Sequence, residues 1–270
     1  MINFEIMLIA LNNCLLPSFT GQLIRGSILQ LIGKHNQEFA DNLHEGNKIR
    51  PYSISPIMGY KNRLKRTRRR EIIIDNGSMF KFRMGILTEE LAERMVKISL
   101  QKDEMKLQLA EGEFKVVSIE IKKKSVKELL MEKEQLPTTF SLSFLTPTYF
   151  NIAKQEFPMR YPDPRYVFMN LATLWNTFNE EQAMVDKTSL FSWLENHISI
   201  NAYNLSTHSV YIAKNALKIG FKGWVRYQLS GEEDYQRWIH ALAKFAEFSN
   251  VGANRTAGLG CVKYRIKNEY

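Results

Sequence analysis

The sequence predicts an α+β protein with two tandem ferredoxin-like domains, each in the order strand, helix, strand, strand, helix, strand (βαββαβ). Strand-like and helix-like periodicities alternate in this order in the first half of the 270-residue chain and again in the second half. This order is that of the ferredoxin-like unit. A charge-dense stretch, residues 122–135, separates the halves and is followed by Pro137, as expected of a linker. We therefore place the N-terminal domain at residues 1–124 and the C-terminal domain at residues 137–270.

The predicted elements of the first half follow from apolar spacing. A short apolar run predicts a buried first strand, and Ser18 or Thr20 is a candidate cap for the first helix. The predicted strands are residues 2–10, 52–60, 71–84 and 114–121. The predicted helices are residues 20–34, 36–43 and 88–100.

The second half returns to the same order. An amphipathic helix near the end of the chain carries Trp238, Ile239, Leu242 and Phe245 on its inner side. The predicted strands are residues 139–149, 199–211, 218–229 and 261–266. The predicted helices are residues 164–178 and 235–248.

The net charge of +9 is concentrated in one segment. Between Gly46 and Arg83 the sequence has eleven Lys or Arg residues and two acidic ones, whereas the rest of the chain is balanced. A local excess of positive charge is what a surface for a polyanion requires.

The densest part of that excess is the segment 61–70, in which seven of ten residues are basic. Such a run neutralises phosphates and releases counterions, which gives affinity for nucleic acid without reading its sequence. The alternative is a solvated hairpin tip. The candidate phosphate-binding residues are Lys61, Arg63, Lys65, Arg66, Arg68, Arg69 and Arg70.

Composition argues against several classes of protein. Only two cysteines, Cys14 and Cys261, are present and they are far apart, which argues against a disulfide framework and a Cys-based zinc site. No apolar run approaches the roughly 20 residues needed to cross a bilayer. The start of the chain lacks the pattern of a signal peptide. We expect a cytoplasmic protein with no membrane partner, no metal site and no cofactor.

A glycine-rich segment, residues 252–260, lies between the last predicted helix and the last predicted strand. Glycines allow positive φ and close approach, so successive N–H groups can turn toward one anion. The alternative is that the glycines only allow close packing. The candidate RNA-binding residues of this loop are Gly252, Asn254, Arg255, Thr256, Gly258 and Gly260.

The loop pattern, Gly-x5-Gly-x-Gly with a basic residue inside, resembles the signature loop of the RAMP superfamily of CRISPR-associated RNA-binding proteins. Three further segments resemble the Cas6 family within it. These are Leu43-His44-Glu45 followed by residues 51–56, residues 144–148 with Phe157-Pro158, and residues 221–225. They span most of the chain in the family's order. Asn250 departs from the pattern, because the family often has glycine at this position.

The resemblance implies an endoribonuclease that processes CRISPR precursor RNA without a metal ion. The 2′-hydroxyl upstream of the scissile bond attacks the adjacent phosphate, which leaves a 2′,3′-cyclic phosphate and a 5′-hydroxyl. The implied partner is CRISPR repeat RNA, and subunits of a CRISPR effector complex are further candidate partners.

The reaction needs proton transfer and a cation near the scissile phosphate. An imidazole suits either proton role because its unperturbed pKa of about 6.5 lies near working pH. His44 matches the family's Leu-His position, so it is the candidate general base or acid; the alternative is a histidine that only ends its helix. Lys48 and Arg50 are both candidates for stabilising the transition-state charge, and the sequence does not choose between them.

Other residues of catalytic type receive no assignment. Relatives often carry a tyrosine on the first long helix, where this chain has none, and Arg25, Ser27 and Gln30 are unassigned polar residues there. His35, the nearest competitor to His44, lies between the two early helices, where we expect it to mark a helix end. The other histidines, His197, His208 and His240, lack a partner at metal-ligand spacing, so we expect them to be structural. The rival functions are a non-catalytic RAMP subunit that holds guide RNA and a general RNA-binding module.

Overall fold

A computed structural model describes residues 1–44, 49–59, 65, 67, 71–100, 105–130, 136–179, 184–213 and 216–266. The N-terminal half contains eight strands and three helices within these ranges. The strands are β1 (Ile2–Ala10), β2 (Cys14–Leu16), β3 (Tyr52–Ile54), β4 (Met58–Gly59), β5 (Ile72–Ile74), β6 (Met79–Ile86), β7 (Lys106–Leu109) and β8 (Gly112–Lys123). The helices are α1 (Gly21–His35), α2 (Gln37–His44) and α3 (Glu89–Ser99).

Six of these strands form one sheet, in the order β3-β6-β1-β8-β7 with β4 paired to β6. All of its pairings are antiparallel. Alternate residues of β1 are buried, from Phe4 to Ala10, because successive side chains of a strand point to opposite faces. They pack against the apolar stripes of α1 and α3, which include Ile24, Ile28 and Met95. Strands β2 and β5 pair separately.

The C-terminal half repeats the arrangement. Its strands are β9 (Thr139–Thr148), β10 (Ile198–Tyr211), β11 (Leu217–Leu229) and β12 (Val262–Ile266). Its helices are α5 (Pro164–Phe178), α6 (Lys187–His197) and α7 (Glu233–Ser249), and a short helix, α4 (Val126–Leu130), precedes it. The sheet order is β10-β11-β9-β12, and all of its pairings are antiparallel.

The two sheets have the same topology. In each, the first long strand lies between the third strand and the last strand of a βαββαβ unit, which gives β3-β6-β1-β8 and β10-β11-β9-β12. The predicted fold class, two tandem ferredoxin-like domains, is confirmed. The boundaries proposed from the sequence, 1–124 and 137–270, enclose the two sheets.

Two strands expected from the sequence are interrupted. The run 52–60 breaks at Pro56, which lacks a backbone N–H for pairing with β6. Beside this break the Ser55 hydroxyl accepts a hydrogen bond from the Arg83 N–H on β6 (2.8 Å). The run 71–84 breaks at a turn in which Gly77 has φ +78°. The piece before that turn, β5, pairs with β2 instead of joining the large sheet.

The expected linker and the connection after α5 contain helices that were not predicted. Within residues 122–135, β8 continues to Lys123, and α4 buries Leu129 in the core of the C-terminal domain. After α5, Asp186 caps the start of α6, and its carboxylate accepts hydrogen bonds from the Thr188 and Ser189 N–H groups. Among the described residues, no helix is both long and apolar enough to span a membrane.

The end of α7 and the loop after it pack on the N-terminal domain. The Ser53 hydroxyl donates to the Phe248 carbonyl (2.6 Å), and the Asn3 side chain donates to the Glu247 carbonyl (3.3 Å). A side chain at Gly85 would overlap the Phe248 carbonyl, so this contact brings two backbones together. The glycine-rich loop is therefore held against β3 and β6.

Candidate functional site

The glycine-rich loop, residues 252–260, includes a one-turn 3-10 helix, Arg255–Ala257. Gly260 has φ +70°, and a side chain there would overlap the Val251 carbonyl, so only glycine fits. The loop lies against the start of α1, where a side chain at Gly21 would overlap the Ala257 carbonyl. The loop therefore lies between β9 and the N-terminal domain.

The glycine amides of the loop already have acceptors within the protein. The Gly252 N–H donates to Asn170 Oδ1 (2.8 Å), and the Gly260 N–H donates to the Pro147 carbonyl (3.1 Å). The Gly258 N–H donates to the Arg255 carbonyl (3.3 Å). These three hydrogen bonds stabilise the conformation of the loop, and in this conformation the three N–H groups point to acceptors within the protein and not to an anion outside it.

Five of the six candidate RNA-binding residues of the loop are buried, which the sequence did not predict. Only Asn254 is half-buried, with its side chain bonded to the Tyr149 hydroxyl. The other five are buried by the protein's own chain, because the loop lies between the two domains. They are Gly252, Arg255, Thr256, Gly258 and Gly260.

Arg255 is the clearest case, since the residue is only 7% exposed. Its guanidinium donates to the Ser249 carbonyl (2.6 Å) and to the Arg50 carbonyl (3.1 Å). Burial lowers the pKa of this guanidinium to about 10, so the group stays charged at neutral pH. Arg255 therefore joins the C-terminal loop to the N-terminal domain through backbone carbonyls.

His44 is the last residue of α2, and it is exposed. It borders a cleft of about 410 Å³ between α1 and α2, which Gln30, Lys34 and Asp41 also line. The Arg50 guanidinium donates to the carbonyls of Leu43 (3.1 Å) and His44 (3.1 Å). A cation at this position satisfies terminal carbonyls and interacts favourably with the helix dipole.

The structure brings three predicted site residues together. Arg50 bonds the His44 carbonyl through its side chain and accepts from Arg255 through its own carbonyl. The end of α2 and the glycine-rich loop therefore meet at Arg50, although His44 and Arg255 are more than 200 residues apart in the sequence.

Tyr52, at the start of β3, adds a polar group beside this meeting point. It is buried, and burial raises the pKa of its phenol. Three guanidinium groups oppose that rise, those of Arg25, Arg50 and Arg255. The guanidinium groups of Arg25 on α1, of Arg50 and of Arg255 in the loop therefore all lie close enough to the Tyr52 phenol to affect its pKa.

The other candidates are placed as follows. Lys65 pairs with Asp75 (3.0 Å), which follows β5, and its side chain is 72% exposed. Lys48 and the rest of the basic run lie outside the described residues: Lys61, Arg63, Arg66, Arg68, Arg69 and Arg70.

His240 is buried and bonded at both ring nitrogens. Nε2 lies 2.7 Å from the Pro137 carbonyl, and Nδ1 lies 2.8 Å from the Tyr264 hydroxyl. Because a carbonyl can only accept, Nε2 carries a proton, and in the neutral imidazole Nδ1 then accepts from the tyrosine. This arrangement suits the structural role expected for His240.

The comparisons with known proteins agree with this architecture. Residues 2–124 match the family model of the Cas6 N-terminal domain, and residues 142–262 match the model of CRISPR-associated endoribonuclease Cas6. The chain belongs to the Cas6 family. The predicted family is therefore confirmed, and with it the expectation of an endoribonuclease.

Individual Cas6 relatives are distant in sequence. The chain is 23% identical to a Cas6 endoribonuclease of Streptococcus thermophilus over 241 residues, which cover 88% of this chain and 90% of that one. It is 27% identical to one of Mycobacterium tuberculosis over 125 residues, 46% of this chain and 38% of that one.

Solved Cas6 structures share the fold. The product complex of Cas6 TTHB231 aligns with a TM-score of 0.79 at 20% identity, over 97% of this chain and 99% of that one. A Cas6-related protein from Pyrococcus furiosus aligns with a TM-score of 0.69 at 15% identity, over 99% of both chains.

Several residues that shape the site received no assignment from the sequence. The sequence identified Asn250 only as a departure from the family's glycine. That departure could have indicated a structural role, because a residue other than glycine at a position that favours glycine needs side-chain hydrogen bonds to stabilise it. Arg83 carried no signal of its own, because its importance comes from its contact with Asn250 across the domain interface.

Proposed function

We propose that this chain binds CRISPR repeat RNA and cleaves the precursor transcript beside His44. One observation carries the proposal: within a Cas6 fold, Arg50 bonds both the glycine-rich loop and the backbone carbonyl of His44, whose side chain is exposed at the end of α2. An RNA strand that passes over this junction would have its ribose and phosphate near the His44 imidazole and the Arg50 guanidinium.

The proposed reaction is an internal transesterification. The upstream 2′-oxygen loses its proton and forms a bond to phosphorus, while the bond from phosphorus to the downstream 5′-oxygen breaks. That oxygen gains a proton and leaves as a 5′-hydroxyl, and the upstream fragment ends in a 2′,3′-cyclic phosphate. His44 serves as the general base or the general acid, a role that typically contributes about two to four orders of magnitude in rate.

Positive charge near the scissile phosphate is the second requirement, because negative charge builds up on the phosphorus oxygens in the transition state. Arg50 brings a guanidinium to the end of α2, next to His44. Arg25 lies near enough to affect the same tyrosine as Arg50 does. Lys48 remains a candidate for direct phosphate contact, because it lies between His44 and Arg50 in the sequence.

The buried residues of the glycine-rich loop have a supporting role in this proposal. Their packing fixes the loop against α1 and β3, and we propose that Asn254, the half-buried candidate, is the loop residue that contacts RNA. Arg255 acts by holding Arg50 rather than by contacting phosphate.

The end groups of the products test the proposed chemistry. We expect the purified protein to cut repeat RNA of its own genome at one site in the presence of EDTA. Treatment with a 2′,3′-cyclic phosphodiesterase should change the migration of the upstream fragment, and a 2′-deoxy substitution at the scissile position should abolish the cut. Tight RNA binding without cleavage would favour the non-catalytic subunit, and cleavage of the 2′-deoxy RNA would contradict 2′-hydroxyl attack.

The basic run is proposed to hold RNA through phosphates. Replacing Lys61, Arg63 and Lys65 with alanine should weaken RNA binding and reduce the slope of log affinity against log salt by about 0.7–0.9 for each phosphate that is no longer neutralised. The rate constant at saturating RNA should stay close to that of the wild type, and filter binding at several salt concentrations measures the slope.

A matched control replaces three exposed lysines outside the run, Lys115, Lys127 and Lys187. We expect a smaller change in slope for this control. An equal loss in both triple variants would mean that overall charge, and not the run, determines affinity.

A further inference from the structure

Asn250 adopts a backbone conformation that favours glycine. Its φ is +55° and its ψ is 176°, a region that residues with a β-carbon rarely enter. The residue is fully buried at the junction between α7 and the glycine-rich loop. A strained, buried position of this kind persists only where the surrounding contacts hold it.

The Asn250 carboxamide supplies those contacts. Its Oδ1 accepts from Arg83 on β6 (2.9 Å), and its Nδ2 donates to the Ile54 carbonyl on β3 (2.9 Å). Nδ2 also lies within hydrogen-bond distance of the carbonyls of Arg255 and Leu259 in the loop (3.2 Å each). One side chain thus joins two strands of the N-terminal domain to the loop of the C-terminal domain, which glycine could not do.

The contacts of Asn250 continue to the end of α2. Asn250 bonds the carbonyl of Arg255, and the Arg255 guanidinium bonds the carbonyl of Arg50 (3.1 Å). The Arg50 guanidinium in turn bonds the carbonyls of the last two residues of α2. The chain of hydrogen bonds therefore runs from Asn250 to the backbone of His44.

We propose that Asn250 is a positioning residue for RNA cleavage, which locks the glycine-rich loop onto β3 and β6 so that Arg255 and Arg50 hold His44 in the geometry needed for proton transfer. This inference rests on the function proposed for His44. Asn250 is buried and does not meet the RNA, so its effect is on the rate of the chemical step and not on affinity.

The size of the effect follows from the sensitivity of proton transfer to distance. A displacement of the catalytic group by about 1 Å can cost up to a hundredfold in rate. We expect loss of the Asn250 donors to slow single-turnover cleavage at saturating RNA by about tenfold to a hundredfold. The dissociation constant of the RNA should change by less than about threefold, because the buried amide contributes no phosphate contact.

Two substitutions separate the contributions of the acceptor oxygen and the donor nitrogen of the Asn250 carboxamide. Asn250→Gly removes all of its side-chain bonds and leaves a residue that adopts this backbone conformation without strain. Asn250→Asp keeps an acceptor for Arg83 but has no donor for the three carbonyls. We expect both variants to cleave more slowly than the wild type.

Asn176→Ala is the matched control for the loss of a bonded carboxamide. Asn176 on α5 bonds both backbone groups of Val185 (2.8 and 2.9 Å). Its removal should lower the melting temperature and leave the rate constant at saturating RNA unchanged. All variants are compared at a temperature at which their circular dichroism spectra match that of the wild type.

The probe is synthetic repeat RNA of the same genome, and His44→Ala is measured in the same assay. If His44→Ala cleaves like the wild type, the proposed role of His44 is wrong, and the positioning proposal falls with it. If His44→Ala is inactive while Asn250→Gly or Asn250→Asp keeps the wild-type rate constant, only the positioning proposal is overturned. A weaker affinity with an unchanged rate constant also overturns it.

Discussion

Replacing His44 with alanine is expected to slow cleavage of repeat RNA by about two to four orders of magnitude, the usual contribution of a general acid or base. The affinity for RNA should change little. The residue is exposed at the end of α2, so a smaller side chain there opens no cavity in the core. Alanine also has the highest helix propensity, so the end of α2 should keep its conformation.

The measurement is a single-turnover time course with saturating RNA, together with a binding isotherm for the same variant. His35→Ala is the matched control, because His35 is likewise the exposed last residue of a helix, α1. We expect this control to cleave at the wild-type rate. Equal rates for His44→Ala and the wild type would remove His44 from the mechanism, and equal losses in both variants would point to a general effect of histidine removal on the fold.

The fold could be predicted from the sequence because apolar spacing reports burial locally. The alternation of Phe4, Ile6 and Leu8 in β1 and the stripe of Ile24, Ile28 and Leu31 in α1 are readable without coordinates, and the order of such segments gives the ferredoxin-like topology. Helix α6 was missed although Asp186 is a strong N-cap, because its apolar stripe is short.

The candidate site could be predicted only in part. The end of α2 and the glycine-rich loop were both identified from the sequence, and the structure brings them together at Arg50. The burial of the loop was not predicted. A glycine-rich segment with an arginine looks the same in sequence whether the arginine faces solvent or donates to carbonyls of another domain, since the difference arises from tertiary packing.

Substitution of Arg255 tests whether this arginine supports the fold from within or binds RNA at the surface. Replacing Arg255 with alanine is expected to lower the free energy of unfolding by about 2–4 kcal/mol, because two backbone carbonyls lose a charged donor and a cavity opens. The carbonyls are those of Ser249 and Arg50. Cleavage should also slow, since Arg50 is then no longer tied to the loop. Urea denaturation and single-turnover kinetics measure the two effects.

The salt dependence of RNA affinity decides between a buried support and a phosphate contact. Because Arg255 is only 7% exposed and its guanidinium is bonded within the protein, its removal should leave the slope of log affinity against log salt unchanged. Arg255→Met, which keeps most of the volume, should lose less stability than Arg255→Ala. Arg165→Ala is the control for an exposed arginine, and its loss should stay below about 1 kcal/mol, as for an exposed ion pair. A reduced salt slope with wild-type stability would instead place Arg255 on the RNA backbone.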